Sequence, residues 1–371
     1  MKKVSLAAGV LSALALTLTS CAQPPGSTTE SPAASAPASS AAGAADFKAC
    51  MVSDSGGFDD KSFNQTSHKG MDDAKAQLGI QTGEVESSAN ADYAKNIQSM
   101  VDAKCNIIVT VGFLLSDATL AAAQKNPDID FAIVDDTPKG ADAVKNLKPL
   151  VFNTAESSFM AGYLAAGMTE TGKVGTFGGA KIPTVTIFMD GFAQGVEYYN
   201  KQKGKSVAVL GWDAAKQDGQ FVPGSNPFKD TAGGQRVAQG LISQGADILF
   251  PVAGESGLGA LQAAKASNGK VNGIWVDTDG CTSVAQYCSQ LISSVYKAMD
   301  LAVFDAIKAS QDGSFSNEPF VGTLANNGTG LAPFHDFDSK VPADLKSELD
   351  KIKSDIQAGT IKITSKSQPA S

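Results

Sequence analysis

The sequence alternates short apolar runs with longer stretches of helical periodicity, and it does so twice in succession. The first set of runs includes "FKACMVS", "CNIIVTVG" and "IDFAIVD", and the second includes "KVGTFGG", "ADILFPVAG" and "VNGIWVDTD". Apolar runs that alternate with helices predict a parallel sheet packed against helices. Two consecutive sets therefore predict an α/β protein with two doubly wound parallel-sheet lobes.

Ligands of doubly wound sheets bind beyond the carboxyl ends of the strands, so two facing lobes would line one cleft with these ends. Three of the predicted strands end in aspartate, which can also serve as a turn residue or a helix N-cap. Several carboxylates in one cleft would accept hydrogen bonds from hydroxyls and amines. This pattern favours a neutral, donor-rich ligand such as a sugar or nucleoside over phosphate. The predicted strand ends are Ser53-Asp54, Gly112-Phe113, Asp135-Asp136, Gly178-Gly179, Gly254-Glu255 and Asp277-Thr278-Asp279.

The beginning of the chain has the pattern of an export signal. "MKK" precedes the apolar stretch "VSLAAGVLSALALTL", and Leu18-Thr19-Ser20-Cys21 has the form of a lipobox. We expect a lipoprotein signal peptide over 1–20 and acylation (palmitate) of Cys21, although an ordinary signal peptide with an incidental cysteine is the alternative. Residues 21–46 are rich in Ser, Pro and Ala and predict a disordered tether. The expected location is the extracytoplasmic face of the cell membrane.

Charge and cysteine usage exclude some classes of function. The net charge is −8, and no basic stretch is interleaved with aromatics, so we expect no nucleic-acid binding. An even number of further cysteines in an exported protein predicts two disulfides, for which three pairings exist. We favour Cys50–Cys105 and Cys281–Cys288. The spacings do not suit zinc, and we expect no metal and no cofactor.

An enzyme is a poor fit to the motifs. "GESGL" differs from a nucleophile elbow at Leu258 and has no supporting histidine. "DSGGFDD" lacks the spacing and the closing glutamate of a helix-loop-helix calcium site. A DNA-binding regulator would need a helix-turn-helix at the end that the lipobox occupies. We therefore expect no catalysis and no transcriptional role.

Four stretches together resemble one protein family. "SDSGGFDDKSFNQTSHKG" is similar to the signature loop of the basic membrane protein (BMP) family of lipoproteins, the purine-nucleoside-binding proteins of ABC transporters. "KVGTFGGAKIPTVTIFMDGFAQGVE", "GADILFPVAGESGLGALQAAK" and "GIWVDTDG" followed by "SSVYKAMDLAV" agree in order and spacing. The resemblance covers Phe47 to about Leu331.

The resemblance implies a periplasmic-binding-protein-like fold (type I, ribose-binding-like) in which a hinge joins the two lobes. The N-terminal lobe would comprise 47–154 plus about 298–325, and the C-terminal lobe 155–297 plus about 326–371. The protein would act as a monomer that delivers a nucleoside (adenosine, guanosine or inosine) to an ABC permease. The alternative is the same fold with another ligand, such as a sugar, riboflavin or a signalling molecule.

The family's binding positions carry over onto matching residues of this sequence. Asp54 would accept hydrogen bonds from the base, and Asp277 with Lys297 would hold the ribose. Phe63 and a second Phe, either Phe188 or Phe228, would stack on the base. Asp136 competes with Asp135, and Phe221 competes with Phe228, because the connection around Phe228 is longer than usual. The implied ligand-binding residues are Asp54, Phe63, Asn64, Asp135, Phe188, Phe228, Gly254, Asp277 and Lys297.

Two further expectations concern neighbours of this site. Asp59, Asp60 and Lys61 should cap and solvate the start of the first helix rather than contact the ligand. Trp212 and Trp275 should lie near the cleft and report on ligand binding through their fluorescence.

Overall fold

The structure is a computed structural model and describes residues 46–369. The predicted signal peptide, Cys21 and all of the predicted tether except its last residue lie outside this range. None of the helices within residues 46–369 is long and apolar enough to cross a membrane.

The first sheet contains six strands, all parallel to their neighbours. Its order is β2–β1–β3–β4–β5, with the late strand β13 added beside β5. These strands are β1 Lys48–Ser53, β2 Gln81–Val85, β3 Ile107–Val111, β4 Asp130–Val134, β5 Leu147–Phe152 and β13 Phe320–Gly322. β3 is buried along its whole length, as its unbroken apolar run predicts.

The second sheet repeats this topology. Its order is β7–β6–β10–β11–β12, and β14 is added antiparallel to β12. These strands are β6 Lys173–Gly178, β7 Ala208–Leu210, β10 Ile248–Val252, β11 Asn272–Asp277, β12 Leu291–Lys297 and β14 Thr329–Leu331. In both sheets the strand that comes second along the chain lies at the edge beside the first, which is the doubly wound 2-1-3-4-5 order. The predicted pair of parallel-sheet lobes is confirmed.

Ten α-helices pack against the sheets within the described range. They are α1 Phe63–Leu78, α2 Tyr93–Asp102, α3 Ser116–Lys125, α4 Thr154–Met168, α5 Pro183–Lys203, α6 Thr231–Ser243, α7 Leu258–Ala266, α8 Gly280–Ser283, α9 Met299–Gln311 and α10 Ala343–Gln357. α1 ends at Leu78, because Gly79 takes the left-handed conformation that closes a helix. The two short strands β8 Trp212–Asp213 and β9 Asp218–Gly219 form a separate hairpin.

The chain passes between the two sheets three times. It leaves the first sheet through Asn153, between β5 and α4, and returns through Ala298, between β12 and α9. It then crosses between β13 and β14, within 323–328. The lobe boundaries given above for residues 47–371 stay a prediction. The three crossings are close together, which is the arrangement of a hinge.

Two disulfides staple the fold. Cys50 in β1 is bonded to Cys105, just before β3, and Cys281 in α8 is bonded to Cys288. These are the two pairings that the sequence favours. The first bridge ties two adjacent strands of the first sheet, and the second closes a local loop next to the end of β11.

We expect the two bridges to contribute unequally to stability. Their sequence separations are 55 and 7 residues. Loop-closure entropy then gives about 4 kcal/mol for Cys50–Cys105 and about 2.5 kcal/mol for Cys281–Cys288. Urea unfolding of the double variants C50S/C105S and C281S/C288S measures both losses. An equal or reversed ranking would contradict the loop-length argument.

Candidate functional site

One cavity lies between the carboxyl ends of the two sheets. Every residue that the resemblance assigns to ligand binding lines it: Asp54, Phe63, Asn64, Asp135, Phe188, Phe228, Gly254, Asp277 and Lys297. Asp136 and Phe221, which competed for two of these positions, do not line it. The structure therefore brings together residues that are up to 243 positions apart in the chain (Asp54 to Lys297).

The topology explains this convergence. Asp54 follows β1 and Asp135 follows β4 in the first sheet, whereas Asp277 and Lys297 are the last residues of β11 and β12 in the second. Because all four strands are parallel within their sheets, their carboxyl ends lie at one edge of each sheet. The two edges face each other across the cavity.

Two of the strand-end acids have the same unusual backbone conformation. Asp135 has a φ angle of 63° and Asp277 one of 69°, so both lie in the left-handed region. Non-glycine residues in this region are uncommon, and aspartate tolerates it better than most. Each lobe therefore turns its chain sharply at the corresponding strand end, which directs a carboxylate into the cleft.

Lys297 is held between these two carboxylates. Its ammonium donates to Oδ2 of Asp135 and lies 3.1 Å from Oδ1 of Asp277. The lysine is 3% exposed. Burial lowers the pKa of Lys297, but the two carboxylates outweigh burial and the net pKa is raised. Burial raises the pKa of Asp135 to about 6, against the attraction of Lys297. The ammonium and the two carboxylates form a buried ion network that joins the two sheets.

The same ammonium contacts two aromatic rings. Its Nζ lies 4.6 Å from the ring centre of Phe63 and 5.2 Å from that of Phe188. Cations are attracted to ring faces at such distances. Lys297 therefore contacts both rings, and Phe188 is in addition buried in the core of the second lobe.

Phe228 occupies the other aromatic position in the cavity. It packs against Gly179 and Gly254, which follow β6 and β10, and a side chain at Gly179 would collide with its ring. Phe228 is only partly buried. Phe221 lies elsewhere, paired with Gly178 and packed edge-on against Trp212. The longer connection thus contributes one Phe to the cavity wall and one to the core.

Asp54 and Asn64 form the polar end of the cavity in the first lobe. Oδ1 of Asp54 accepts from the Gly56 N–H at 3.0 Å and from Nδ2 of Asn64 at 2.9 Å. Burial raises the pKa of Asp54, and these two donors partly offset it. Oδ1 of Asn64 is buried and has no hydrogen-bond partner in residues 46–369. An acceptor is thus available to a ligand at this end.

Asp60 departs from the expectation for its loop. The predicted capping is present, because its carboxylate accepts from the N–H groups of Ser62, Asn64 and Gln65 at the start of α1. The predicted solvation is wrong, because Asp60 is 3% exposed and lines the cavity. Burial raises the pKa of Asp60 to about 6, although the three N–H donors lower it. Asp59 is exposed, as predicted.

Contacts also cross the cleft outside the ion network. The hydroxyl of Ser62, before α1, donates to Oδ2 of Asp277 at 2.8 Å. The indole N–H of Trp275 in β11 donates to the carbonyl of Lys61 at 3.3 Å. The loop between β1 and α1 therefore rests directly on the end of the second sheet.

The tryptophans are placed differently from each other. Trp275 makes the cross-cleft hydrogen bond to Lys61, so its environment depends on how the lobes meet. Trp212 donates its indole N–H to Asp190 within the second lobe. Neither ring lines the cavity. The expectation that Trp212 and Trp275 report on binding stays a prediction.

Sequence reasoning missed some of the cavity wall. The strand-end rule selects Phe113, but the resemblance gives it no binding role, and the sequence predicts that Asp60 faces solvent. Thr184 and Val185 come from the first turn of α5, where the sequence shows only an ordinary helix start. Their exposure to the cleft depends on the packing of two lobes, which has no local sequence signal.

Two clusters of potential metal ligands lie away from this cavity. His68, Asp72 and Glu84 meet on the outer side of α1, at least partly exposed. The other cluster joins His335 to Asp279 at 2.7 Å, but its third member is the disulfide-bonded Cys281. Neither cluster contains a cavity-lining residue.

Comparison with known proteins agrees with the geometry. The family described as ABC transporter substrate-binding protein PnrA-like (Bmp) matches residues 47–219 and 221–363. The chain is 30% identical over 339 residues to the ABC transporter nucleoside-binding protein BmpA of Lactococcus lactis subsp. cremoris, covering 86% of this chain and 90% of that protein. It is 29% identical over 338 residues to the CD4+ T-cell-stimulating antigen of Listeria monocytogenes, covering 86% and 89%.

A solved structure has the same fold. The ABC transporter solute-binding protein from Aeropyrum pernix K1 superposes with a TM-score of 0.76 at 23% identity. The superposition covers 88% of this chain and 94% of that one. The likeness shows a two-lobe solute-binding-protein fold.

We expect Asp60 to make stability depend on pH in a defined direction. Its pKa rises from 3.8 to about 6 on folding, so the native state takes up a proton between these values. The stability contributed by Asp60 therefore falls as pH rises from about 4 to about 6. Relative to wild type, D60N should be more destabilised at pH 4.5 than at pH 7.5, by about 2 kcal/mol.

Urea unfolding of both proteins at both pH values checks this expectation. D59N, which changes an exposed carboxylate in the same loop, is the matched control and should show little difference between the two pH values. A larger loss for D60N at pH 7.5 than at pH 4.5 would contradict the burial argument.

Proposed function

This chain belongs to the Bmp family of ABC transporter substrate-binding proteins, and we propose that it binds a nucleoside, specifically a purine nucleoside, in the cavity between its lobes. Members of this class bind a substrate outside the cytoplasm and pass it to a membrane permease; they do not catalyse a reaction. The observation that carries the proposal is that one cavity combines four carboxylates, one ammonium and aromatic walls.

The polar groups suit the two halves of a nucleoside. Asp54 and the unpaired Oδ1 of Asn64 would accept hydrogen bonds from the edge of the base. At the other end, Asp135 and Asp277 would accept from the ribose hydroxyls while Lys297 donates to them. Hydroxyls can replace some of the present ion contacts, because a hydroxyl can donate to a carboxylate and accept from the ammonium, so no charged group is left without a partner.

The aromatic residues suit the flat face of the base. Phe63 is one wall, and we propose Phe228 as the other. Phe188 is buried in the core of the second lobe, whereas Phe228 is only partly buried and lies beside Gly254. Stacking on aromatic side chains contributes about 1–3 kcal/mol per base.

Ligand entry requires the lobes to separate. The cavity has a volume of about 60 Å³, and pockets that hold small molecules have volumes of about 300 Å³ or more. A nucleoside therefore cannot enter without opening the cleft, which would break the Ser62–Asp277 and Trp275–Lys61 hydrogen bonds. The bound ligand would favour a closed arrangement if its affinity for the closed form exceeds its affinity for the open form. The permease would then recognise the closed form.

The attachment to the membrane belongs to the same proposal. A lipid chain on Cys21 would hold the protein at the outer face of the membrane, with residues 22–46 as a tether. A tethered domain acts at a high local concentration near its permease. We propose that the protein works there as a monomer.

The first test is a thermal melt of the folded domain with nucleosides. We expect adenosine, guanosine or inosine to raise the melting temperature, equivalent to about 2.7 kcal/mol at a ligand concentration one hundred times Kd. D54N should lose most of this shift, whereas D59N, in the same loop but exposed, should keep it. The absence of a shift with all three nucleosides at millimolar concentration would contradict the proposal.

The second test separates the two phenylalanines of the longer connection. F228L should weaken nucleoside binding about tenfold or more, because it removes the stacking face but keeps an apolar side chain. F221L should leave the affinity unchanged, since its ring packs against Trp212 away from the cavity. Calorimetric titration of both variants measures the effect, and equal losses would refute the assignment of Phe228.

A further inference from the structure

A second cavity adjoins the candidate binding site. Its volume is about 180 Å³, and it shares Phe113, Asp135 and Thr184 with the first cavity. It lies next to the hinge, because Phe152 and Thr154, on either side of the first crossing between the sheets, also line it. A group that passed Asp135 from the first cavity would enter it.

Two residues that line this cavity each carry a buried polar atom without a hydrogen-bond partner. Oδ2 of Asp136 and Oγ1 of Thr154 are inaccessible and make no hydrogen bond within residues 46–369. Asp136 is 9% exposed and Thr154 is 1% exposed. Buried polar atoms are nearly always hydrogen-bonded. Two unpaired atoms on the residues that line one cavity therefore indicate that a hydrogen-bond donor is missing from it. Burial raises the pKa of Asp136, with partial offset from Ser116 and the Thr137 N–H.

The other residues that line the second cavity limit the kind of chemical group that it could bind. Val151, Phe152 and Ile187 form apolar sides, and none of the described lining residues is a lysine or arginine. The C-terminal segment closes the cavity. Ser367 is bonded to Thr186 in α5 at 2.8 Å, and Gln368 donates to Asn153 at 3.3 Å.

We propose that this second cavity is a subsite for a hydrogen-bond donor, an amine or a hydroxyl, carried on the sugar of the bound nucleoside, and that Asp136 makes it reject phosphate esters. The proposal rests on the proposed function, because it places the sugar at the Asp135 end of the first cavity. An amine has enough N–H donors to serve both unpaired atoms. A phosphate in the second cavity would meet the carboxylate of Asp136, and none of the described lining residues there is a lysine or arginine that could offset the repulsion.

Calorimetric titration with chemically defined nucleosides tests the proposal. The ligands are adenosine, its three amino analogues (the 2′-, 3′- or 5′-hydroxyl replaced by an amine) and adenosine 5′-monophosphate. We expect one amino analogue to bind about tenfold more tightly than adenosine, because charge-assisted hydrogen bonds are strong. The monophosphate should bind at least about tenfold more weakly than adenosine.

Variants then assign both effects to the second cavity. D136N should abolish the tighter binding of the amino analogue relative to adenosine, and it should reduce the difference in affinity between adenosine and the monophosphate. T154V should reduce only the tighter binding of the amino analogue and should not change the relative affinity for the monophosphate. D117N is the matched control, because it removes an exposed charge near Asp136 without touching the cavity. Far-UV circular dichroism and the melting temperature confirm that each variant is folded.

The outcomes separate this proposal from the proposed function. If adenosine binds but no amino analogue binds more tightly, or if the advantage persists in D136N, the second cavity is not a donor subsite. If D117N has the same effect as D136N, the selectivity is a general charge effect and the proposal fails. If no nucleoside binds at all, the proposed function fails first.

Discussion

The ion pairs of the buried Lys297 ammonium are the interaction on which the closed arrangement of the two lobes depends. The ammonium joins Asp135 of the first sheet to Asp277 of the second, and it is almost fully removed from solvent. A lone buried charge is costly, and removing one partner of a buried pair typically costs about 3–5 kcal/mol. The network is therefore stable only when the lobes bring both carboxylates together. A ligand that binds these three groups acts directly on the closure of the cleft.

The repeated topology explains how so few residues control two lobes. Each sheet has the same strand order, and in each an aspartate with positive φ ends a central strand. The chain crosses between the sheets at three nearby positions, so a hinge motion moves one set of strand ends relative to the other. The residues proposed to bind the ligand also make the contacts that close the cleft. Binding at this site would therefore change the balance between the open and closed arrangements.

Much of this arrangement is predictable from the sequence, and the reasons are local. Alternating apolar runs predict the parallel sheets, and the strand-end rule selects Asp54, Asp135 and Asp277 before any comparison. The role of Lys297 follows only from the resemblance, because a lysine at the end of a strand has no local sign of burial. The alternating pattern of apolar runs predicts no helix or strand after residue 279.

Other features depend on packing between distant segments. Asp60 caps a helix as predicted, but its burial results from the contact of its loop with the second lobe. The choice of Phe228 over Phe221 depends on how a long connection folds back onto Gly179 and Gly254. Asp136 follows Asp135 directly, yet it lines a different cavity because the chain turns at Asp135.

The most direct test of the central claim is a competition experiment read by native mass spectrometry. The folded domain, refolded from denaturant to remove any retained ligand, is mixed with equal amounts of adenosine, guanosine, inosine, ribose, galactose and riboflavin. The bound mass then identifies the preferred class of ligand. We predict one bound purine nucleoside per protein. A bound sugar or riboflavin would contradict the account. So would the absence of bound nucleoside at ligand concentrations well above the Kd of a specific complex.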